Sequence, residues 1–188
     1  MKKFYYFIPL FILLLSLNLL IFNQDFYAEQ VDPLYEEDVS NLLDFFKGGE
    51  LDTESYTDVE VVHLYDVLLL VKASLAVMLF MIFTILVTSL RESKRVIRKG
   101  LINGGIGGLV LTVAFSLLLL NFSSSFLKFH ELFFTNDFWM LSSDTLLIQM
   151  FPESFFYAAV VHIIFYSLTF SFFSIVLGIR IPKEEKND

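Results

Sequence analysis

Residues 67–90, VLLLVKASLAVMLFMIFTILVTSL, contain a single charged side chain, Lys72. Apolar stretches of about 18 residues or more are typical of helices that cross a membrane. Three further stretches have the same character, at residues 4–22, 101–122 and 155–179. At about 1.5 Å per residue, each can cross a hydrocarbon core roughly 30 Å thick. The sequence therefore predicts an all-α membrane protein, one integral membrane domain over residues 1–188 with four transmembrane helices.

The overall composition agrees with this prediction. Of 188 residues, 56% are hydrophobic, 23 are Phe and the net charge is −8, whereas soluble domains are about 45–50% apolar. The chain has no cysteine, which excludes a disulfide framework, a thiol nucleophile and a Cys-ligated zinc. Its acidic balance does not fit a nucleic-acid partner, because such a partner requires a basic face.

The first apolar stretch, residues 4–22, follows Lys2 and Lys3 and so has the basic start of a secretory signal peptide. Its apolar run is longer than the roughly 7–15 residues of a signal peptide, and no A-x-A-like cleavage site follows it. We therefore expect a retained transmembrane helix.

The basic residues predict the orientation. Ten of the 13 Lys and Arg lie in three places, at Lys2 and Lys3, in residues 91–100 and in residues 180–186. With four spans these places share one side, which the positive-inside rule makes cytoplasmic. Both termini and the loop 91–100 are then cytoplasmic. Residues 23–66 and 123–154 form two outer segments of the cell-membrane protein.

The two outer segments differ in character. In residues 38–47, Val39, Leu42, Leu43 and Phe46 follow the i, i+3, i+4, i+7 spacing of an amphipathic helix, which Gly48 ends. The second segment, residues 123–154, is too apolar to dissolve in water. We expect it to form an interfacial or re-entrant loop between helices three and four, with Trp139 anchored at headgroup level.

Glycines in the third span predict close helix packing. Gly100, Gly104 and Gly108 repeat at four-residue intervals, which places them on one helix face. Small residues on one face allow a neighbouring membrane helix to approach closely.

The outer segments also carry the titratable residues best suited to chemistry. Histidine is the natural general acid or base near neutral pH, and a nearby carboxylate can orient it. His63 and Asp66, spaced i, i+3, share one face if a helix already runs there, and Asp137 follows His130 in the second segment. Each histidine can equally serve as a structural cap or bridge. A zinc or manganese site is a further alternative, although the sequence has neither an HExxH motif nor a dense histidine cluster.

The second outer segment resembles one enzyme family. Residues 129–139, FHELFFTNDFW, followed by DTLLI at 144–148 and FPESFF at 151–156, resemble the lipoprotein intramolecular transacylases (Lit). His63-Leu-Tyr-Asp66-Val67 is similar to the other motif of that family. The family often has a proline between the Trp and the following Asp, whereas residues 140–143 read MLSS. We expect the turn to form there through capping by Ser142 and Ser143.

The resemblance implies an activity. These enzymes act on a lipoprotein N-terminus within membrane lipid, and they move the sn-2 acyl chain of the diacylglyceryl-cysteine to its α-amino group. The product is a lyso-form lipoprotein, and neither a cofactor nor a metal is implied. The resemblance assigns catalysis to His63 and His130. For the mechanism we expect one histidine to act as base and the other as donor to the oxyanion or leaving oxygen. The supporting residues we expect are Asp66 and Asp137 to orient the rings, Asn136 as an oxyanion donor, and Trp139.

Two other functions remain open from the residues alone. A non-enzymatic membrane module would bind a lipid or protein partner through its acidic outer segment, where residues 23–66 carry 13 Asp or Glu. A metal-dependent membrane hydrolase would use the histidines as ligands.

Overall fold

The computed structural model describes residues 6–182. Lys2, Lys3, Lys183 and Lys186, which contributed to the predicted orientation, lie outside the described residues, as do the first two residues of the predicted first span. The described chain is all-α, as predicted. Its α-helices are α1 Ile8–Ile21, α2 Gln24–Gln30, α3 Glu36–Phe46, α4 Asp58–Ser89, α5 Lys94–Ser116, α6 Phe122–Phe133, α7 Leu146–Met150 and α8 Glu153–Arg180.

Three stretches of the described chain are long and apolar enough to cross a membrane. They are Asp58–Ser89, Lys94–Phe133 and Glu153–Arg180, of 32, 40 and 28 residues. Helices α1 and α2 are bent by 64° and form a fourth candidate if the pair is one span. The described fold therefore contains three or four candidate spans.

Helices extend beyond two of the apolar stretches from which the spans were predicted. Helix α4 begins at Asp58, ahead of the predicted span at 67–90. Helix α5 continues through a 3-10 turn, Leu117–Asn121, into α6. The second outer segment therefore begins as a helix, and irregular backbone follows only after Phe133. Both histidines of interest consequently lie on helices.

The chain divides into two compact units. One comprises the described parts of Met1–Asn18, Ser74–Leu117 and Val161–Asp188, and the other comprises Leu19–Ala73 and Leu118–Val160. We call the second the site unit, because it contains both outer segments.

The first unit is packed through small residues, as the glycine spacing predicted. A Cβ added at Gly104 would lie 2.6 Å from the Cβ of Ile8, so α1 approaches α5 at a distance that only glycine permits. Ile8 and Ile12 form the buried core there. Ser167 of α8 donates a hydrogen bond of 3.0 Å to Ser16 of α1, and both side chains are fully buried.

The site unit is held together by α3 and by aromatic contacts. The apolar face of α3 is buried through Val39, Leu42, Leu43 and Phe46, which confirms the predicted amphipathic helix. Gly48, at φ 106°, lies just beyond its last turn. Phe26 of α2 packs on Phe155 of α8, with ring centroids 5.2 Å apart.

Candidate active site

His63 lies on the second turn of α4, and a capping box sets where that helix begins. The Thr57 hydroxyl accepts a 3.3 Å hydrogen bond from the Glu60 amide, and the Glu60 carboxylate accepts a 2.8 Å bond from the Thr57 amide. This reciprocal pair satisfies amides that would otherwise be unpaired at a helix start. The helix therefore begins early enough to carry His63 on a rigid element.

His130 lies in the last turn of α6 and is 8% exposed. Its Nδ1 is 2.7 Å from the carbonyl oxygen of Phe126, one turn earlier. A carbonyl oxygen only accepts hydrogen bonds, so Nδ1 carries the proton in the neutral ring and Nε2 carries the lone pair. The ring is thus oriented by the backbone of its own helix.

The structure brings the two histidines together. Their ring centroids are 6.2 Å apart, and the rings are tilted by 32°. Among the described residues, Nδ1 of His63 is buried and has no hydrogen-bond partner. An unpaired buried polar group costs about 1–3 kcal/mol, and a substrate able to bond to it would remove that cost. One reacting group can contact both rings at this separation.

Aromatic rings surround His130. The centroids of Phe126, Trp139 and Phe134 lie 4.4, 5.0 and 5.5 Å from that of His130. Phe134 also contacts His63, with centroids 5.0 Å apart. Trp139, which the sequence suggested as an interfacial anchor, therefore lies against a candidate catalytic residue. Apolar walls of this kind exclude water and strengthen polar interactions inside them.

The predicted carboxylate partners are arranged differently from the simplest expectation. Asp66 accepts a 2.9 Å hydrogen bond from the Asn136 side-chain amide, and the Asn136 carbonyl oxygen accepts one of 3.0 Å from the Phe138 amide. Asp137 is exposed, and the acceptor that orients His130 is instead the Phe126 carbonyl oxygen, to which Nδ1–H donates. Asn136 is thus paired with Asp66, a contact that spacing along the chain could not indicate.

The turn after Trp139 forms without proline, through Ser142 rather than through the expected capping by both serines, and the N-cap of α7 is Thr145. The Ser142 hydroxyl donates to Asp144, and Thr145 donates a 2.7 Å hydrogen bond to the Ser142 carbonyl. The bond from Ser142 is the main cause that holds the pKa of the Asp144 carboxyl below its usual value. The loop is therefore closed by local side-chain hydrogen bonds.

Sequence reasoning missed Glu60, which is 1% exposed. Besides Thr57, its carboxylate accepts a 2.8 Å hydrogen bond from the amide of Leu147 in α7. The Thr57-x-x-Glu60 pattern is a capping-box signature and could have identified the helix start. The partner in α7 is visible only in the fold.

Within residues 6–182, no group of three or more His, Cys, Asp or Glu side chains is arranged to hold a metal ion.

Comparison with known proteins gives a consistent result. A family model described as lipoprotein intramolecular transacylase Lit matches residues 3–156. The membrane-integral Lit structure from Bacillus cereus superposes with a TM-score of 0.81 at 22% identity, covering 95% of this chain and 92% of that chain. No curated protein matches this chain.

Two variants of the Bacillus cereus protein, each with one histidine changed, also share the fold. The arginine variant gives a TM-score of 0.80 at 23% identity, covering 95% of this chain and 88% of that chain. The alanine variant gives 0.79 at 22% identity, covering 95% and 90%. At these identities the likeness establishes the fold.

Proposed function

We propose, from the premise that this chain belongs to the lipoprotein intramolecular transacylase family, that His63 and His130 carry out its acyl transfer. Family membership makes the chain a membrane-integral acyltransferase that acts on lipoproteins. The observation that supports the two histidines is their proximity, with ring centroids 6.2 Å apart although they come from different helices.

The reaction we propose is an O-to-N acyl shift within one substrate. The α-amino nitrogen of the diacylglyceryl-cysteine attacks the carbonyl carbon of the sn-2 ester. A C–N bond forms, the bond from that carbon to the glycerol oxygen breaks, and one proton passes from nitrogen to oxygen. An α-amino group has a reference pKa near 8 (about 7.7–8.0), so a substantial neutral fraction is available for attack.

His130 is the proton carrier in this proposal. Its Nδ1–H bond to the Phe126 carbonyl directs the basic Nε2 away from the helix backbone. Nε2 takes the proton from the attacking nitrogen and then gives it to the departing glycerol oxygen. One residue therefore acts as base and then as acid, and the enzyme ends the cycle in its starting state.

His63 stabilises the oxyanion of the tetrahedral intermediate. A neutral imidazole has one N–H to donate, and the Nδ1 of His63 is buried without a partner among the described residues. A donor aimed at developing charge in a dry site is among the strongest contributions to catalysis. The Asn136 amide donates to Asp66 and in this proposal positions that carboxylate.

Positioning accounts for much of the remaining catalysis. Amine and ester belong to the same substrate, and holding them in contact can contribute about 7–11 kcal/mol in favourable cases. The aromatic rings of Phe126, Phe134 and Trp139 keep water from the intermediate, which favours aminolysis over hydrolysis.

We place the reaction at the outer leaflet, with both termini cytoplasmic. The concentration of Lys and Arg in residues 91–100 supports this orientation. All the candidate residues belong to the site unit, which contains both acidic outer segments.

The test uses a bacterial strain that lacks its own lipoprotein N-acylating enzymes. The full chain is expressed there, one diacylated lipoprotein is isolated, and its N-terminal lipopeptide is fragmented by mass spectrometry. Fragmentation is required because the acyl shift gives an isomer of equal mass. We expect an N-acyl, monoacylglyceryl product from the wild-type chain.

Matched variants separate catalysis from folding. His63→Ala and His130→Ala should each abolish the product at unchanged membrane expression. His162→Gln, which alters the third histidine of the chain outside the site unit, should retain it. Normal product from either alanine variant would remove that residue from the mechanism. A free amine in the wild-type sample, with the protein present in the membrane, would favour the binding module.

A further inference from the structure

Three polar side chains of the site unit lie on one face of α4. Glu60, His63 and Asp66 are spaced three residues apart, so they lie on the same side of the helix. The two outer members are carboxylates, and each accepts a hydrogen bond from residues 134–147. We call these residues, which join α6 to α7 and include the first two residues of α7, the strap.

Two hydrogen bonds hold the strap to α4, one on each side of His63. The Asn136 amide donates a 2.9 Å hydrogen bond to Asp66, and the Leu147 backbone amide donates one of 2.8 Å to Glu60. At its beginning, the Phe134 amide bonds at 2.9 Å to the carbonyl of His130. The strap thus begins at Phe134, which contacts His130. It is bound by two anchors, Asp66 and Glu60, which lie on either side of His63 along α4.

Glu60 is the more deeply buried of the two anchors. It is 1% exposed and receives three hydrogen bonds of 2.8 Å, from the Thr57 amide, the Thr57 hydroxyl and the Leu147 amide. A buried carboxylate is tolerated when donors of this kind surround it. Its isostere glutamine has one acceptor oxygen, and its amide group would face one of these donors.

The middle of the strap carries Trp139, the single tryptophan of the chain. Its ring centroid lies 5.0 Å from that of His130. Any movement of the strap on α4 therefore changes the wall of the site and the relation between the two imidazoles.

We propose that Glu60 is a positioning residue of the acyl transfer. Glu60 binds the Leu147 amide, Asp66 binds Asn136, and these two bonds hold the strap on both sides of His63. The strap in turn keeps Trp139 against His130 and keeps the two imidazoles at their reacting separation. The catalytic consequence rests on the proposed function, whereas the mechanical role of Glu60 does not.

Glu60→Gln is the primary test, with Thr57→Ala as its matched control. The control removes the Thr57 hydroxyl from the capping box but leaves the bond between Glu60 and Leu147. Both proteins are purified full-length in detergent, and acrylamide quenching and the emission maximum of Trp139 are measured. Turnover of a diacylated lipopeptide gives kcat and KM.

We expect Glu60→Gln to increase quenching of Trp139, to shift its emission to longer wavelength and to lower kcat by about 10- to 100-fold, because small misplacements at a reacting site carry costs of this size. KM should change less than threefold. Thr57→Ala, which keeps the bond between Glu60 and Leu147, should change both readouts less than Glu60→Gln does. An unchanged Trp139 signal in Glu60→Gln, or equal effects in both variants, would overturn the proposal.

A second anchor variant keeps the test decisive if Glu60→Gln does not fold. Asn136→Asp places a second carboxylate opposite Asp66, and the two negative charges repel each other. The variant retains a side-chain oxygen that accepts from the Phe138 amide. When Asp66→Asn is added, position 66 supplies the N–H donor and position 136 the carboxylate acceptor. The hydrogen bond between them can then form in the opposite direction. The single variant should loosen Trp139 and the double variant should restore its signal. Failure of the double variant to restore it would refute the strap.

The two hypotheses fail in different ways. A wild-type chain without lipopeptide product contradicts the proposed function. An unchanged Trp139 signal in Glu60→Gln contradicts the role of Glu60, and unchanged signals in the Asn136 variants contradict the strap on which that role depends, whatever the activity.

Discussion

Gly108 and Ser171 provide a quantitative test of the packing between α5 and α8. A Cβ added at Gly108 would overlap the Ser171 hydroxyl oxygen, whereas its next neighbours are Ile12 Cδ1 at 3.2 Å and Ser171 Cβ at 3.4 Å. That hydroxyl is buried without a hydrogen-bond partner among the described residues. Ser171→Ala therefore removes the clash and loses no hydrogen bond.

The expected coupling follows from these contacts. Overpacking a tight interface costs typically 1–3 kcal/mol. Gly108→Ala alone should show this cost reduced by the helix preference of Ala over Gly, a net loss of about 0–2.5 kcal/mol. Ala loses less backbone entropy on folding than Gly, which stabilises a helix by about 0.5–1 kcal/mol; this term is the same in the single and double variants and cancels between them. The double variant should therefore exceed Gly108→Ala by about 1–3 kcal/mol, or about 2–12 °C in apparent Tm for a chain of this size.

The assay is thermal unfolding in detergent, followed by circular dichroism of the helices at one fixed scan rate. Wild type, Gly108→Ala, Ser171→Ala and the double variant form a complete double-mutant cycle. If the double variant is no more stable than Gly108→Ala, the close approach of α5 and α8 is wrong.

Three further predictions concern the site unit. His130→Ala should reduce turnover at least about 100-fold, as measured by lipopeptide fragmentation; a smaller loss would argue against a proton-carrying role. The kcat/KM of the wild type should fall on acidification, because protonation of Nε2 of His130 and of the substrate amine removes both lone pairs; a flat profile between pH 5 and 8 would contradict this. Burial, followed by the charges of Asp38, Glu60 and Asp52, raises the pKa of Tyr56. The folded chain therefore has its full stability below the unfolded pKa of Tyr56, near 10. Stability is lost as the pH rises above that value, because unfolding then releases the Tyr56 proton. Tyr56→Phe should resist alkaline unfolding, followed by circular dichroism, better than the wild type, and equal resistance would count against this account.

Sequence patterns predicted the features that depend on local spacing. Long apolar runs indicated the spans, and the buried face of α3 followed directly from i, i+3, i+4 periodicity. The helix ends were less predictable, because α4 begins in polar sequence that Thr57 and Glu60 cap. A hydropathy profile does not detect a helix start of this kind, because the residues that form it are polar.

Sequence patterns and the family resemblance named the candidate residues, but they did not predict how these residues pair. Proximity in sequence suggested Asp137 as the partner of His130, yet the fold supplies a carbonyl one helical turn away. Asp66 and Asn136, and likewise Glu60 and Leu147, meet only because the strap returns to α4. Contacts between residues so far apart in the chain leave no trace in local spacing.

The orientation of His130 by the Phe126 carbonyl has a consequence for how this site can be dissected. In many enzymes the group that holds a catalytic histidine is a side chain, so alanine scanning reveals it. Here the acceptor belongs to the main chain, and every substitution at position 126 retains it. A scan of side chains would therefore assign no orienting partner to His130. Replacing the amide bond after Phe126 with an ester, whose carbonyl is a weaker acceptor, would expose what side-chain mutagenesis cannot reach.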